Sequence, residues 1–552
     1  MANKNVYSAH ITKTTTRTSK VVTPQTQVIP GREADMATNN AGGVSFVLTP
    51  LKQAERFLVL GSDSPTYYTG ERKLTKDNAK VIETLANDPI QGKLLVDLIV
   101  DVSVNGRAPK NDPAIFALAL AANSTDTDVR KYALSKVNDV CRIGTHLFQF
   151  TNFTNELRGW GRAVRKAIGG WYEAKTPDQL AYQTLKYQSR EGFNHADVMR
   201  LAHPKLTGAS NDVAKYVVER HKATDKRSQN FGAMITTVGG KVEGYHLALE
   251  AKDEPKKIVK LIDKYGLTHE MLPKEALAHG SVWEALLQND MPMTAMIRNL
   301  GNLGKHGLLV PNSDNVKTVV NALTDVDALQ KSRLHPLAIL MAQSVYGSGH
   351  SIKGDGTWTP TTTVVDALED AFKLSFSNIV PSKKRFLIGL DVSGSMGCGT
   401  VGGSMLTPRQ ASVAMCLVTL AAEPWCETMA FSTSFMPVNF TKRSTLKSAI
   451  AMTDRLPFSG TDCSLPMLYA AQNKIPVDVF AVYTDNETWA GRIQPVQALR
   501  DYRKKMGIDA KLVVVGMTAT NVTIADPKDT GMLDVVGFDA SAPAIMSDFA
   551  SR

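Results

Sequence analysis

Between Leu51 and about Lys373 apolar residues recur at three- and four-residue intervals in short stretches, as in KVIETLANDPIQGKLLVDLIVDV and VWEALLQNDMPMTAMIRNL. Gly, Pro, Asn and Asp separate the stretches. Such spacing places the apolar side chains of each stretch on one helical face. Alternating strand patterns are scarce over this span, so it must bury helix against helix. A run of helices this long is buried more readily as stacked helical hairpins than as one bundle, although no fixed sequence period marks a solenoid.

After Pro381 the texture changes. The apolar runs FLIGL (386–390), TMAFS (428–432), VFAVYT (479–484) and KLVVVG (511–516) are short and flanked by turns, and the helical patterns RQASVAMCLVTLAAE and VQALRDYRKKM lie between them. This alternation predicts a doubly wound α/β domain, a mostly parallel sheet covered on both faces, with functional loops at the carboxyl ends of its strands. With 552 residues the chain is too long for one core. Residues 1–45 form a third region, rich in Thr, Ser, Asn and Gly and expected to be a flexible polar arm. The expected division is therefore 1–45, 46–375 and 376–552.

No apolar run approaches the ~20 residues that span a bilayer, and Met1–Pro30 lacks the apolar stretch of a secretory signal. The five cysteines, Cys141, Cys398, Cys416, Cys426 and Cys463, form no C-x-x-C pair and suit reduced packing positions. A reducing, cytoplasmic compartment is the expectation.

The first strand run of the C-terminal region leads into Asp391-Val-Ser393-Gly-Ser395. A carboxylate and two hydroxyls at alternate positions after a buried strand can point into one hollow, which suits a hard divalent cation taking oxygen ligands. Gly460-Thr461-Asp462 and Thr484-Asp485-Asn486 supply two further loops at the same crest. Helix capping and turn formation would account for any one of these loops alone. Together, the D-x-S-x-S, T, D order resembles the metal-ion-dependent adhesion site of von Willebrand factor type A domains, over roughly 381–552. That resemblance implies Asp391, Ser393, Ser395, Thr461 and Asp485 as ligands, directly or through water, with Asp462 as an outer partner and Mg2+ as the expected ion. Such sites capture a partner's carboxylate rather than perform chemistry.

The chain's formal charge of +10 is not evenly spread. Residues 142–205 hold ten Lys/Arg against five Asp/Glu, so half of the net charge lies in 64 residues. Spacings of i, i+4, i+7 and i+8 put Arg158, Arg162, Arg165 and Lys166 on one predicted helix face, opposite Trp160, Ala163, Val164, Ala167 and Ile168. Lys186-Tyr-Gln-Ser-Arg190-Glu-Gly-Phe-Asn-His195 follows, read as a helix-loop-helix connection carrying cations and aromatics that can meet phosphates and unpaired bases. The same residues also suit a solvated helix face above core aromatics.

The segments RFLVLGSDSPTYY (56–68), VCRIGTHLFQF (140–150), WGRAVRKAIGGWY (160–172), SREGFNHADVMRLAH (189–203), MPMTAMIRNLG (291–301), RLHPLAIL (333–340) and DVSGSM with GTDCSLPM and TDNETWAG resemble the Ro autoantigen family, the TROVE-module proteins, from about 50 to 550. The resemblance implies a monomeric ring of all-α HEAT-like repeats closed by the von Willebrand type A domain. It implies binding of small noncoding Y or Y-like RNA outside the ring and of single-stranded 3′ ends of misfolded RNA in its hole, in RNA quality control. An exoribonuclease partner, polynucleotide phosphorylase, follows if the chain is bacterial. The family's RNA-contacting His maps onto His195 within Gly192-Phe-Asn-His-Ala-Asp197, where Phe193 replaces a Trp, Asn194 a Ser and Ala196 a Lys. The candidate RNA contacts are thus Arg158, Arg162, Arg165, Lys166, Lys186, Arg190, His195 and Arg200. Residues 206–255 carry no match. Two rival readings remain. One is an adhesion or scaffold protein capturing an acidic protein ligand through the metal site. The other is a metal-dependent ribonuclease, which lacks paired carboxylates or a Ser-His-Asp arrangement and so is set below a non-enzyme.

Overall fold

The computed structural model describes residues 22–61, 66, 71–352, 354–376, 379–402 and 404–552. The first 21 residues of the Thr-rich arm, and residues 62–65, 67 and 68 of the segment RFLVLGSDSPTYY, lie outside the described residues. Two compact units divide the chain: one takes the described residues up to Val81, Arg107–Lys110 and Phe376–Arg552, the other Ile82–Gly106 and Asn111–Ser375.

The second unit is helical, as the three- and four-residue spacing predicts. The stretch 80–102 resolves into helices Glu71–Ala86 and Gln91–Val104, parted where Asn87-Asp88-Pro89 stops the first. Helix starts carry their own signals. Asp126 accepts from the amides of Asp128 and Val129 at 3.0 and 2.8 Å, Thr176 and Gln179 form a reciprocal capping box, and Pro stands in the first turn of the helices at Pro177, Pro255 and Pro336. Consecutive helices pack in pairs, Asp112–Ala122 on Thr127–Ser135 and Pro336–Ser348 on Thr362–Leu374, in keeping with stacked helical hairpins of HEAT type, and Asp112–Ala122 also packs on the later helix Gly144–Leu157. Leu95, Ile99, Leu118, Phe148, Ile168 and Trp171 are fully buried between them, each such side chain contributing about 1.5–3 kcal/mol. Among the described residues no helix is long and apolar enough to cross a membrane.

In the first unit a six-stranded sheet runs in the order Met532–Val536, Lys511–Gly516, Val479–Thr484, Arg385–Asp391, Trp425–Phe431, Phe435–Pro437. Every neighbouring pair is parallel except the last. All four strands expected from the sequence are present. Leu387, Phe480, Val482, Leu512 and Val514 share a core with helices Leu465–Gln472 and Pro495–Met506. On the other face the Tyr483 hydroxyl meets Thr419 of helix Pro408–Ala422 at 3.1 Å. Strands buried on both faces read as unbroken apolar runs, which is why Arg385–Asp391, Val479–Thr484 and Lys511–Gly516 were legible, whereas Trp425–Phe431 is buried only over its last four residues.

From residue 22 onward, the segment expected to be a flexible arm is folded. Strands Met36–Thr38 and Val44–Val47 pair antiparallel, and the second continues onto Val522–Thr523. Ile29, Met36, Val44 and Phe46 are buried in the same core as the sheet. The segment's low apolar content concealed this, because its few apolar residues fill a core built largely by residues more than 300 positions later.

Candidate metal centre and nucleic-acid interface

Asp391 ends its strand and is fully buried. One carboxylate oxygen accepts from the Ser393 amide at 2.9 Å and the other from the Thr484 hydroxyl at 2.6 Å. The Ser393 and Ser395 hydroxyls lie 3.2 Å apart, and Ser395 hydrogen-bonds the carboxylate of Asp485. Asp485 follows strand Val479–Thr484, next to Arg385–Asp391 in the sheet, so parallel register delivers both carboxylates to one crest. Burial raises the pKa of both, and the Asp485 charge raises that of Asp391 further. Thr461 completes the set. Its backbone carbonyl accepts from the amides of Trp489 and Ala490 at 3.1 and 3.0 Å, while its buried hydroxyl has no partner.

The five residues expected as ligands are therefore all buried on three adjoining loops. Two carboxylates destabilised by burial and by each other, beside an unpartnered hydroxyl, make a donor set that a hard divalent cation would satisfy. Among the described residues no group of three or more His, Cys, Asp or Glu side chains is arranged to hold a metal. A cation here would thus rest on two carboxylates and hydroxyls, with room left for water or a ligand's oxygen. Asp462 accepts from Ser464 and from Gln25. Two features escaped sequence reasoning. Glu487 is a further buried carboxyl in addition to Asp391, Asp462 and Asp485, pushed up to about 7 by burial and then by Asp485. Asn40 and the Ala41 amide hold it, from the segment read as an arm.

In the helical unit Arg158, Arg162, Arg165 and Lys166 are all exposed. They do not share one helix. Arg158 ends helix Gly144–Leu157, Gly159 turns the chain at φ +77°, and the next helix is Arg162–Glu173. Val164 and Ile168 are buried beneath it and Ala167 half-buried, but Ala163, assigned to the packing face, is exposed. Lys186 departs further: its side chain is only 9 % exposed, pairs with Glu270 at 3.4 Å and donates to the Tyr182 hydroxyl. The expected connecting loop is a short hairpin, Ser189–Arg190 against Phe193–Asn194, turned by Glu191 and Gly192 at φ 51° and 77°. Arg190, in its first strand, and Arg200, in the helix that follows, are exposed.

His195 overturns its expectation. It is not a loop-exposed imidazole but the fully buried first residue of helix His195–Ala202. Phe148, Trp171 and Tyr172 enclose it at centroid distances of 4.6, 6.2 and 5.7 Å. Its Nδ1 lies 2.9 Å from the Tyr172 hydroxyl, and Nε2 makes no hydrogen bond of good geometry. Desolvation brings its pKa down to about 3. Beside Arg200, a cavity of about 430 Å³ opens among Met199, His203, Lys215, Val218 and Met234. No periodicity announces it, because three consecutive helices contribute its walls.

Residues 37–266 and 259–348 match the TROVE domain, and residues 385–550 match the Ro60 vWA domain. The TROVE match runs through 206–255, where the sequence segments alone carried no likeness. The chain is 42% identical over 531 residues to a protein of Deinococcus radiodurans named RNA-binding protein RO60, covering 96% of this chain and 97% of that one. It is 36% identical over 581 residues to the RNA-binding protein RO60 of Caenorhabditis elegans, covering 93% and 90%. The crystal structure of the Deinococcus radiodurans RO (RSR) protein matches with a TM-score of 0.67 at 42% sequence identity, over 91% of this chain and 99% of that chain.

Proposed function

From the fact that the chain belongs to the TROVE-domain family with a Ro60-type von Willebrand A domain, we propose that it is an RNA-binding protein rather than an enzyme. Its ligand is a small noncoding RNA of the Y or Y-like class. The observation that carries this reading is the group Arg158, Arg162, Arg165 and Lys166: all four are exposed, and among the described residues none is held in an ion pair. Four unneutralised cations on a surface raise the local concentration of a polyanion and release its counterions on contact. Arg190 and Arg200 extend the cationic surface, and the groove beside Arg200 offers Met199, Val218 and Met234 to the face of an unpaired base. His195 supports this surface from within. Single-stranded 3′ ends of misfolded RNA are the second ligand, and in a bacterial host an exoribonuclease of the polynucleotide phosphorylase type is the partner that degrades them, in the cytoplasm.

The von Willebrand A domain serves a separate task in this reading. Asp391, Ser393, Ser395, Thr461 and Asp485 would hold a divalent cation, Mg2+, which would supply a positive centre able to attract a protein carboxylate. Exposed Phe458 and Trp489 flank these loops and supply apolar contact to such a ligand. The test is to purify the chain from its own host, measure absorbance at 260 nm and sequence any RNA it carries. Enrichment of one small structured RNA supports the proposal, and protein free of RNA that also fails to bind added small RNA defeats it. Incubating end-labelled RNA with the protein and Mg2+ decides the enzyme question, since shortening of the RNA would make it a nuclease.

A further inference from the structure

A side chain far outside the metal loops in sequence is built into them. Gln25 is fully buried, and both ends of its amide are in use. Nε2 donates to Asp462 Oδ1 at 2.7 Å and to the Ile493 carbonyl at 3.0 Å. Oε1 accepts from the Thr488 hydroxyl at 2.6 Å and from the Gly491 amide at 3.0 Å. One amide therefore ties the loop of Thr461 to the loop that follows Asp485. The fit is close: a Cβ on Gly491 would lie 2.2 Å from Gln25 Nε2. The same segment touches the second loop at further points, including the Ala41 amide, which donates to the Glu487 carboxylate at 3.2 Å. Asn39 donates to the Thr488 carbonyl at 2.8 Å, Ser45 to the Asn486 carbonyl at 3.2 Å, and Asn40 to the Glu487 carboxylate at 2.7 Å. Gly43 passes so near Thr488 that a Cβ would stand 1.9 Å from its carbonyl oxygen.

We propose that Gln25, carried on the segment 23–47, is a positioning residue of the metal centre, setting the spacing between the Thr461 and Asp485 loops that a cation requires. The inference rests on the metal reading given above. An apolar side chain could fill the volume of Gln25, but only a planar group with two donors and two acceptor directions can hold both loops at once. Without it, Asp462 and the Thr488 hydroxyl lose their shared partner, and Thr461 is free to move relative to Asp485. None of these hydrogen bonds touches the cation position itself, so Gln25 acts through the loops.

The experiment titrates Mn2+ alone into the full chain calorimetrically, for wild type, Gln25→Ala, Asn40→Ala and, as control, Asp485→Ala. Metal-free melting and amide exchange over 461–464 and 485–491 are recorded in parallel. Gln25→Ala is expected to weaken Mn2+ binding at least 10-fold, and Asn40→Ala about 3-fold, each with a cooperative metal-free transition and faster exchange in both loops. A lower melting temperature with unchanged Mn2+ affinity makes Gln25 a packing residue and overturns the proposal. If Gln25→Ala does not fold, the exposed Asn40 decides in its place, and unchanged affinity there overturns it equally. Should wild type bind no Mn2+, the metal reading fails by itself. Loop exchange then decides the strap alone: unchanged exchange in Gln25→Ala overturns it, and faster exchange upholds the loop-holding role.

Discussion

At His195 the imidazole gives up water for an aromatic enclosure, and that desolvation disfavours its charged form. Its pKa falls from 6.5 to about 3. Between those values the unfolded chain binds the proton and the folded chain does not, so stability rises with pH across this window and is fully present above it. The slope is at most ~1.4 kcal/mol per pH unit for one such group. His195→Gln, which keeps an acceptor for the Tyr172 hydroxyl, should flatten the loss of stability between pH 6.5 and 4, measured by urea unfolding. An unchanged profile would place the acid sensitivity elsewhere, with His146 and His246, also lowered to about 4, as the next groups to substitute. At the metal site the electrostatics run the other way. Asp485→Asn removes a like charge beside Asp391 and should raise metal-free stability by about 1 kcal/mol, while abolishing any rise in melting temperature on adding Mn2+. These residues differ in how readily the sequence shows them. Asp391, Ser393 and Ser395 follow a strand at alternating positions, so their chemistry is local and legible. The burial of His195 is set by Phe148 and Trp171, which arrive from two other helices, and no spacing within its own segment reports them.

Elements succeed or fail on their turns. The two-residue turn at Glu191 and Gly192 holds Arg190 at the surface, and Gly192 sits at φ 77°, where a β-branched side chain is strained. Gly192→Val should cost about 1–3 kcal/mol and weaken RNA binding through Arg190, as urea unfolding and filter binding would report. The helical periodicity of 158–168 was real, yet Gly159 breaks it, since a residue with no Cβ allows the chain to turn between two helices. The N-terminal strap was the least legible element. Its polar residues signal disorder only when considered without the loops whose amides and carboxylates they satisfy. Gly43→Ala tests that fit directly, because the added methyl meets the Thr488 carbonyl. It should destabilise the C-terminal unit by about 1–3 kcal/mol, seen as a lower midpoint in thermal unfolding, and a neutral result would mean that the strap is loosely held.

Across the whole molecule, the proposed function assigns different work to the two units: RNA contact to the exposed cations of the helical one, and cation and protein-ligand binding to the buried carboxylates of the α/β one. The fold of each was legible from its pattern: a helical period throughout the first, and short apolar runs alternating with helical stretches in the second. The passage of chain between units, with residues up to Val81 and Arg107–Lys110 joining the C-terminal one, was not, since nothing local marks such a crossing. The most direct test of the division is RNA affinity as a function of salt for three proteins: wild type, Arg162→Glu/Arg165→Glu/Lys166→Glu, and Asp391→Ala/Asp485→Ala. The basic-face variant is expected to bind small RNA more weakly, and its slope of log K against log salt should become shallower by about 2 units, roughly 0.7–0.9 for each phosphate left without its cation. The metal variant, which no longer binds Mn2+, should retain wild-type affinity and slope. An unchanged slope in the first variant, or failure of a folded second variant to bind RNA, would contradict the division.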